Sequence, residues 1–355
     1  MVSVEHQKLQ EILSRHGLEH FGWTPLTRPL SIDLYKNWVA EGQHLDMAYL
    51  KEHLPIKENP RAHHQAHSAI VLSVPYWPHP WPHNQSFKNN VALYARGKDY
   101  HHEIQRQLTP LLDELKGIFP EHSFELFTDS APILERDLAY RAGLGWIGKN
   151  TCLIDRRHGS MFFIAEVYTT LKLETSSPWS PDFCGRCNRC VEACPTGALT
   201  SDRRLLPSKC IAYWTIESKS VPPETLCPAF GDWLFGCDIC QTVCPWNQKH
   251  LLQTLKATGA PPPEDANTPL QKTSSREERV KELEWILTSS RKALARALHE
   301  TPLSRVAGWK LQRNAIIVAT NNNYRELLPA IVALEEDPKL QSLARWSIEH
   351  LEQNQ

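Results

Sequence analysis

The sequence predicts an α+β chain in three parts: an α/β domain over residues 1–175, a cysteine-rich domain over 176–256, and a helical tail over 276–355 behind a linker at 257–275. Three observations carry this. Short apolar runs alternate with helix-period segments before residue 175. Eight of the ten cysteines form two spaced sets between Cys184 and Pro245. A proline-rich stretch from Ala257 to Ser275 then separates these sets from a run of helical patterns.

In the first part, Leu9, Ile12 and Leu13 mark a surface helix over 5–16 that Gly17 ends. Ser31 is placed to cap a helix from Ile32 to Ala40. Ala69 to Val74 reads as a buried strand. Pro75 to Pro82 has too many prolines for regular structure and reads as a loop rich in rings, Tyr76, Trp77 and Trp81 among them. Residues 99–117 give a helix with Ile104, Leu108, Leu111, Leu112 and Leu115 on one face, and Pro110 is expected to kink or split it. A strand over Ser123–Phe127, a helix over 132–142 and a strand over Met161–Tyr168 complete the domain. In the tail, Leu283, Ile286 and Leu287, then Leu294 and Leu298, then Ile316 to Ala319, then Leu327 to Leu334 give short paired helices. They read as a HEAT-like repeat pair or an ordinary small bundle.

The middle part carries the strongest chemical signal. Cys184-x2-Cys187-x2-Cys190-x3-Cys194-Pro195 has the spacing of two-cluster bacterial ferredoxins, in which the fourth cysteine crosses to the other cluster. Cys237-x2-Cys240-x3-Cys244-Pro245 repeats it, with Cys210 upstream. By that rule Cys184, Cys187, Cys190 and Cys244 hold one [4Fe–4S] cluster, and Cys194, Cys210, Cys237 and Cys240 hold the second. Zinc sites space their ligands as separated pairs instead. Cys152 and Cys227 are left as buried thiols.

Charge and hydropathy set limits. Lys and Arg total 39 against 40 Asp and Glu, which excludes a global basic field, so a nucleic-acid partner would need a local patch. No run approaches the ~20 apolar residues of a membrane span. Ten cysteines without a secretion signal read as metal ligands in reducing cytosol. From Ile286 to Arg325, Arg291, Lys292, Arg296, Arg305, Lys310, Arg313 and Arg325 face a single acid, Glu300. Such a segment lines a phosphate backbone or is a solvated face.

Two further stretches carry candidate chemistry. Asp129 stands at a strand end before a helix, where it caps the helix or faces a pocket at the strand's carboxyl edge. Arg141 to Asn150 holds three glycines in six residues and brings backbone close to something. The His101–His102 pair reads as a surface feature rather than a metal site.

Tyr94-Ala-Arg-Gly-Lys-Asp-Tyr-His101, Phe127-Thr-Asp-Ser-Ala-Pro132, Arg141-Ala-Gly-Leu-Gly-Trp-Ile-Gly-Lys-Asn150 and Gly236-Cys-Asp-Ile-Cys-Gln-Thr-Val-Cys-Pro-Trp-Asn247 occur in this order, with Leu311-Gln-Arg-Asn-Ala315 in the tail. Together they resemble the epoxyqueuosine reductases, cobalamin-dependent iron–sulfur enzymes of tRNA modification related to reductive dehalogenases. The resemblance implies an N-terminal domain that binds cobalamin and two [4Fe–4S] clusters that feed it electrons. It implies as substrate epoxyqueuosine at the wobble position of tRNAs with GUN anticodons (Asp, Asn, His, Tyr), reduced to queuosine. Asp129 matches the family's proton donor. Lys57, Arg96, Arg141, Gly148, Lys149 and Asn150 are the expected corrin contacts. No Asp-x-His-x-x-Gly stretch is present, so no histidine is expected on the cobalt. With a tRNA partner, Arg291, Lys292, Arg296, Arg305, Lys310 and Arg313 become the expected phosphate contacts, and the rings of the proline loop either line a pocket for the extruded base or simply pack the loop. A cellular electron donor is required, and a monomer is the default. The alternatives are a cobalamin reductase of a small molecule and a ferredoxin-type electron-transfer protein.

Overall fold

The computed structural model describes residues 4–76, 87–174, 178, 181–250, 274–306 and 308–353. Four strands, β1 (Phe21–Pro25), β2 (Ser68–Pro75), β4 (Phe124–Phe127) and β7 (Phe162–Thr169), form one sheet in the order β1-β2-β7-β4. All three pairings are antiparallel, so the domain is mixed α/β without the parallel crossovers of a doubly wound sheet. β2 and β7 are central and buried on both faces, which is why they read as apolar runs rather than alternating ones. Ile70, Leu72 and Val74 face α1 (Val4–Arg15) and α6 (Tyr100–Ile118), whose Leu9, Ile12, Leu13, Leu108 and Leu111 cover them. Ala69 and Val71 face Leu138 and Ala139 of α7 (Glu135–Arg141) on the other side.

Local chemistry explains the departures from expectation. β1 is an edge strand broken in pattern by Gly22 and Pro25, and periodicity does not reveal it. Gly22 is required there, since a Cβ would lie 2.0 Å from the Ala142 carbonyl oxygen. Ser31 precedes α2 (Ile32–Ala40) but makes no side-chain cap, and its backbone N–H instead donates to Asp137 at 2.7 Å. Pro110 sits on the exposed side of α6 without ending it. Three short helices, α3 (Ala48–Glu52), α4 (Leu54–Glu58) and α5 (Pro60–His64), lead into β2. Trp77, Trp81 and the linker at 257–275, apart from its last two residues, lie outside the described residues.

Two small pairs join the parts. β3 (Asn90–Val91) pairs in parallel with β8 (Trp233–Phe235), and β5 (Trp146–Ile147) pairs with β6 (Leu153–Ile154). The short helices α8 (Arg189–Glu192) and α9 (Ile239–Thr242) lie within the two cysteine motifs and carry Cys190 and Cys240. In the tail, α10 (Arg276–Thr288) opens with a Ser275–Glu278 capping box, and α11 (Arg291–Ala297) is capped by Ser290. α12 (Gly308–Asn321) packs against α10, against α14 (Gln341–Gln353) and against β8, while α13 (Leu328–Val332) packs on α14. One apolar cluster therefore runs from Val91 and Ala92 through Ile211, Phe230 and Phe235 to Leu283, Ile316, Ile331 and Leu351. No helix among the described residues is long and apolar enough to cross a membrane.

Candidate active site and cysteine centres

Asp129 follows the carboxyl end of β4 with φ +47°, a left-handed conformation that a non-glycine residue adopts only when its surroundings hold it there. Those surroundings are specific. The Asp129 backbone N–H donates to Glu135 Oε1 at 2.6 Å. The Tyr100 hydroxyl donates to Asp129 Oδ2, and His101 Nε2 lies 3.6 Å from the same oxygen. His101 Nδ1 is 2.6 Å from Asp99, which caps α6 and whose own N–H donates to the Glu300 carbonyl in the tail at 2.7 Å. Tyr100 stacks on Phe163 with centroids 4.3 Å apart. Both partners of the carboxylate thus engage Oδ2. The Asp129 side chain is 58% exposed, and Oδ1 is the oxygen left to meet a substrate.

The charges follow from this geometry. Burial pushes the Asp129 carboxyl up, but hydrogen bonds from His101 and Tyr100 outweigh it and hold the group below its usual range. Burial disfavours the His101 imidazolium, yet Asp129 and Asp99 on either side leave its pKa raised. Glu135 is pushed up to about 7 by burial and by the Asp129 charge. Behind it, Glu166 on β7 is fully buried and lifted well above the carboxylate range by burial and the two neighbouring acids. Arg305, exposed on the tail, adds a positive charge that acts on both Asp129 and His101.

The cysteines divide into two groups. Cys190 is acted on by Cys184 and Cys187, and Cys244 by Cys184 and Cys190. Cys237 is acted on by Cys210 and Cys194, and Cys240 by Cys152, then Cys237 and Cys210. None is in a disulfide. Backbone and ring N–H groups point at the sulfurs, Ala198 at Cys194 (3.3 Å) and Trp146 at Cys184 (3.5 Å). Burial raises Cys237, Cys240 and Cys244, the last to about 11, so only a bound soft cation would hold these thiols ionised. The donor set fits two four-thiolate clusters. Trp146, Phe183 and Trp246 form a ring cap over the Cys184–Cys244 end, at centroid distances of 5.2, 5.2 and 5.6 Å. Gln241, next to Cys240, meets the Tyr76 hydroxyl at 3.4 Å, and Tyr76 lies on Phe163 beside Tyr100. Of the leftover thiols, Cys227 is fully buried and Cys152 is half-buried.

Several expected contacts are used otherwise. Lys57 is buried and donates to the Ile133 carbonyl at 3.1 Å. Arg141 is buried, pairs with Asp137 at 2.7 Å and donates to the Pro25 carbonyl at 3.0 Å. Arg96 donates to the Val91 carbonyl at 2.7 Å. Lys149 donates to the Gly185 carbonyl and Asn188, and Asn150 to the Cys240 carbonyl, so the Gly148–Asn150 turn braces the cysteine motifs. These contacts brace the fold. Asp129 is exposed, Arg96 and Lys149 are half-buried, and Lys57, Arg141, Gly148 and Asn150 are buried. In the tail, Arg313 is fully buried and donates to the carbonyls of Ser218, Ser220 and Trp214. Lys310 donates to the carbonyls of Ile216 and Glu217, and Arg291 pairs with Asp337. Arg313 and Lys310 therefore tie the tail to the cysteine domain, and Arg313, fully buried among carbonyls, cannot also meet a phosphate, whereas Lys310 is half-buried. Lys292, Arg296 and Arg305 stay exposed.

Sequence reasoning missed Tyr100, Asp99 and Glu135, and took His101 for a surface residue. Their signal was present, since Asp99-Tyr100-His101 opens the amphipathic α6, where side chains of the first turn reach past the helix end.

Residues 183–247 match the 4Fe-4S double cluster binding domain family, and residues 58–130 match the family described as Epoxyqueuosine reductase QueG, DUF1730. The chain is 42% identical over 214 residues to the epoxyqueuosine reductase of Cyclobacterium marinum, covering 60% of this chain and 69% of that one. It is 35% identical over 266 residues to that of a Synechocystis strain, covering 74% and 89%. A crystal structure of epoxyqueuosine reductase with a tRNA-Tyr epoxyqueuosine-modified tRNA stem loop superposes with a TM-score of 0.75 at 26% identity, over 97% of this chain and 89% of that one. The Streptococcus thermophilus enzyme shares the fold, with a TM-score of 0.77 at 23% identity, over 98% and 90%. On this identity and coverage, the chain belongs to the epoxyqueuosine reductase family.

Proposed function

We infer that the protein reduces epoxyqueuosine in tRNA to queuosine, with Asp129 as the acid that protonates the departing oxygen. The observation that carries the role of Asp129 is its carboxylate, with one oxygen bonded by the Tyr100 hydroxyl and 3.6 Å from His101 Nε2 and the other open. Loss of an epoxide oxygen as water takes two electrons and two protons. Asp129 is ionised at rest, so it must be loaded before it can donate. His101, with its raised pKa and its ring between Asp99 and Asp129, is the group placed to load it. Tyr100 orients the carboxylate and keeps its own proton, because burial and the Asp129 charge push its pKa far up.

The two cysteine groups would hold [4Fe–4S] clusters that deliver single electrons. Cobalamin, as the resemblance implies, would collect them near the substrate. The exposed side of Asp129 beside Tyr100 supports a cofactor and substrate site there, with the buried Lys57 and Arg141 committed to the carbonyls of Ile133 and Pro25. We read the tail as a HEAT-like pair that meets tRNA through Lys292, Arg296 and Arg305, and the protein as a cytosolic monomer acting on tRNAs with GUN anticodons. The test is nucleoside analysis of tRNA after incubation with anaerobically reconstituted protein, cobalamin and a strong reductant. Conversion that requires cobalamin supports the reading. No conversion with both clusters and cobalamin bound would overturn it.

A further inference from the structure

The Cys184 end of the molecule carries a second feature, separate from Asp129. A cleft of about 730 Å³ there is lined by Arg156, Arg157, Lys249, His20 and His250 with one acid, Asp155. Asp155 is buried and turned inward. Its carboxylate accepts the backbone N–H groups of Arg157 and His158 at 2.8 and 2.6 Å and faces His20 at 3.3 Å. Arg156, Arg157, Lys249 and Arg186 are exposed, and none of them pairs with a carboxylate among the described residues. Arg189 joins them through Gln248, the neighbour of Lys249. The Arg156 guanidinium lies 5.3 Å from the ring centroid of Phe183, which ties this patch to the ring cap over Cys184 and Cys244.

Position decides what such a patch receives. His20 precedes β1 at one edge of the sheet and Asp129 follows β4 at the other, and these two strands are separated by three strand spacings, about 14 Å across the sheet. An RNA must bring its modified base to Asp129. An electron carrier must instead approach the sulfur ligands. Gly185 and Arg186, between Cys184 and Cys187, are exposed, whereas Asp238 and Ile239, between Cys237 and Cys240, are buried and half-buried.

We propose that this cationic surface is the docking site of an acidic one-electron donor protein and that electrons enter through the Cys184, Cys187, Cys190 and Cys244 group. The proposal rests on the iron–sulfur reading above. At each encounter one electron leaves the reduced flavin or metal centre of the donor and enters at this group. No atom is transferred, and two encounters supply the two electrons of the deoxygenation. Opposite charge steers such partners and makes their association salt-dependent.

The test uses the anaerobic holoprotein with an acidic flavodoxin as probe. Arg156→Glu, Arg157→Glu and Lys249→Glu together should weaken flavodoxin binding about tenfold. They should slow cluster bleaching by reduced flavodoxin to the same extent and flatten its salt dependence. The matching Gln substitutions should act in the same direction with a smaller effect. Bleaching by dithionite and affinity for a tRNA stem loop should not change. Unaltered flavodoxin binding and bleaching would overturn the proposal. So would a loss of stem-loop affinity alone, which would make the cleft a phosphate site. Failure of dithionite to bleach the unmodified protein would overturn the iron–sulfur reading itself, and the docking proposal with it.

Discussion

Glu135 Oε1 accepts the backbone N–H of Asp129 at 2.6 Å, and Asp129 at that point has φ +47°. The carboxylate at the start of α7 therefore fixes the backbone of the acid rather than its side chain. Glu135→Leu removes the acceptor. It should lower kcat about tenfold and speed hydrogen exchange at the Asp129 amide, leaving exchange in β2 and β7 unchanged. Equal exchange in the two proteins would show that Glu135 does not hold this turn.

The same residue gives a pH prediction. Its pKa is raised from 4.5 to about 7, so the folded protein binds a proton that the unfolded chain releases. The stability that Glu135 contributes is present below pH 4.5 and is lost as pH rises through 7. Thermal melts of Glu135→Gln across that window should lack this component, and an unchanged slope would contradict it.

Asp129→Asn should abolish turnover, and His101→Gln should lower it by about 10² to 10⁴, with cluster spectra unchanged in both. Since His101 is raised by its two acids, unmodified activity should fall on the alkaline side as the imidazolium is lost, and His101→Gln should lose that limb. A pH–rate profile of the single variant checks this directly.

The cations of the tail should separate by burial. Arg313→Ala leaves three carbonyls without their donor and should cost about 3–5 kcal/mol in denaturant unfolding. Lys292→Glu with Arg296→Glu should leave stability within about 0.5 kcal/mol and reduce both stem-loop affinity and its salt slope. Unaltered affinity would place the RNA elsewhere.

Cys210→Ser removes one thiolate from the group with Cys194, Cys237 and Cys240. Iron per chain should fall from about eight to about four, with the Cys184 group still loaded. Full iron content would remove Cys210 from the ligands.

What the sequence disclosed follows from which patterns are local. α1, α6, β2 and β7 were legible because burial on one or both faces imposes a period on the residues themselves. β1 was not, because an edge strand of five residues with Gly22 and Pro25 carries no period. His101 and Glu135 gain their roles from Asp129, 28 and 6 residues away in sequence. Arg313 misled for the opposite reason. A charge count treats every arginine as a surface residue, and α12 is buried on nearly all sides.

Because one apolar cluster joins β3 and β8 to α10, α12 and α14, iron loading and tail folding are expected to be coupled. Asn314 in α12 donates to the carbonyls of Thr215 and Leu234, flanked in sequence by Cys210 and Cys237. A chain that has not received its iron should therefore display an unsettled tail, open to limited proteolysis between α10 and α14, and should bind RNA poorly. The protein would then act as its own checkpoint, keeping tRNA off an enzyme that has no electrons to give. Equal protease resistance with and without iron would uncouple the two events.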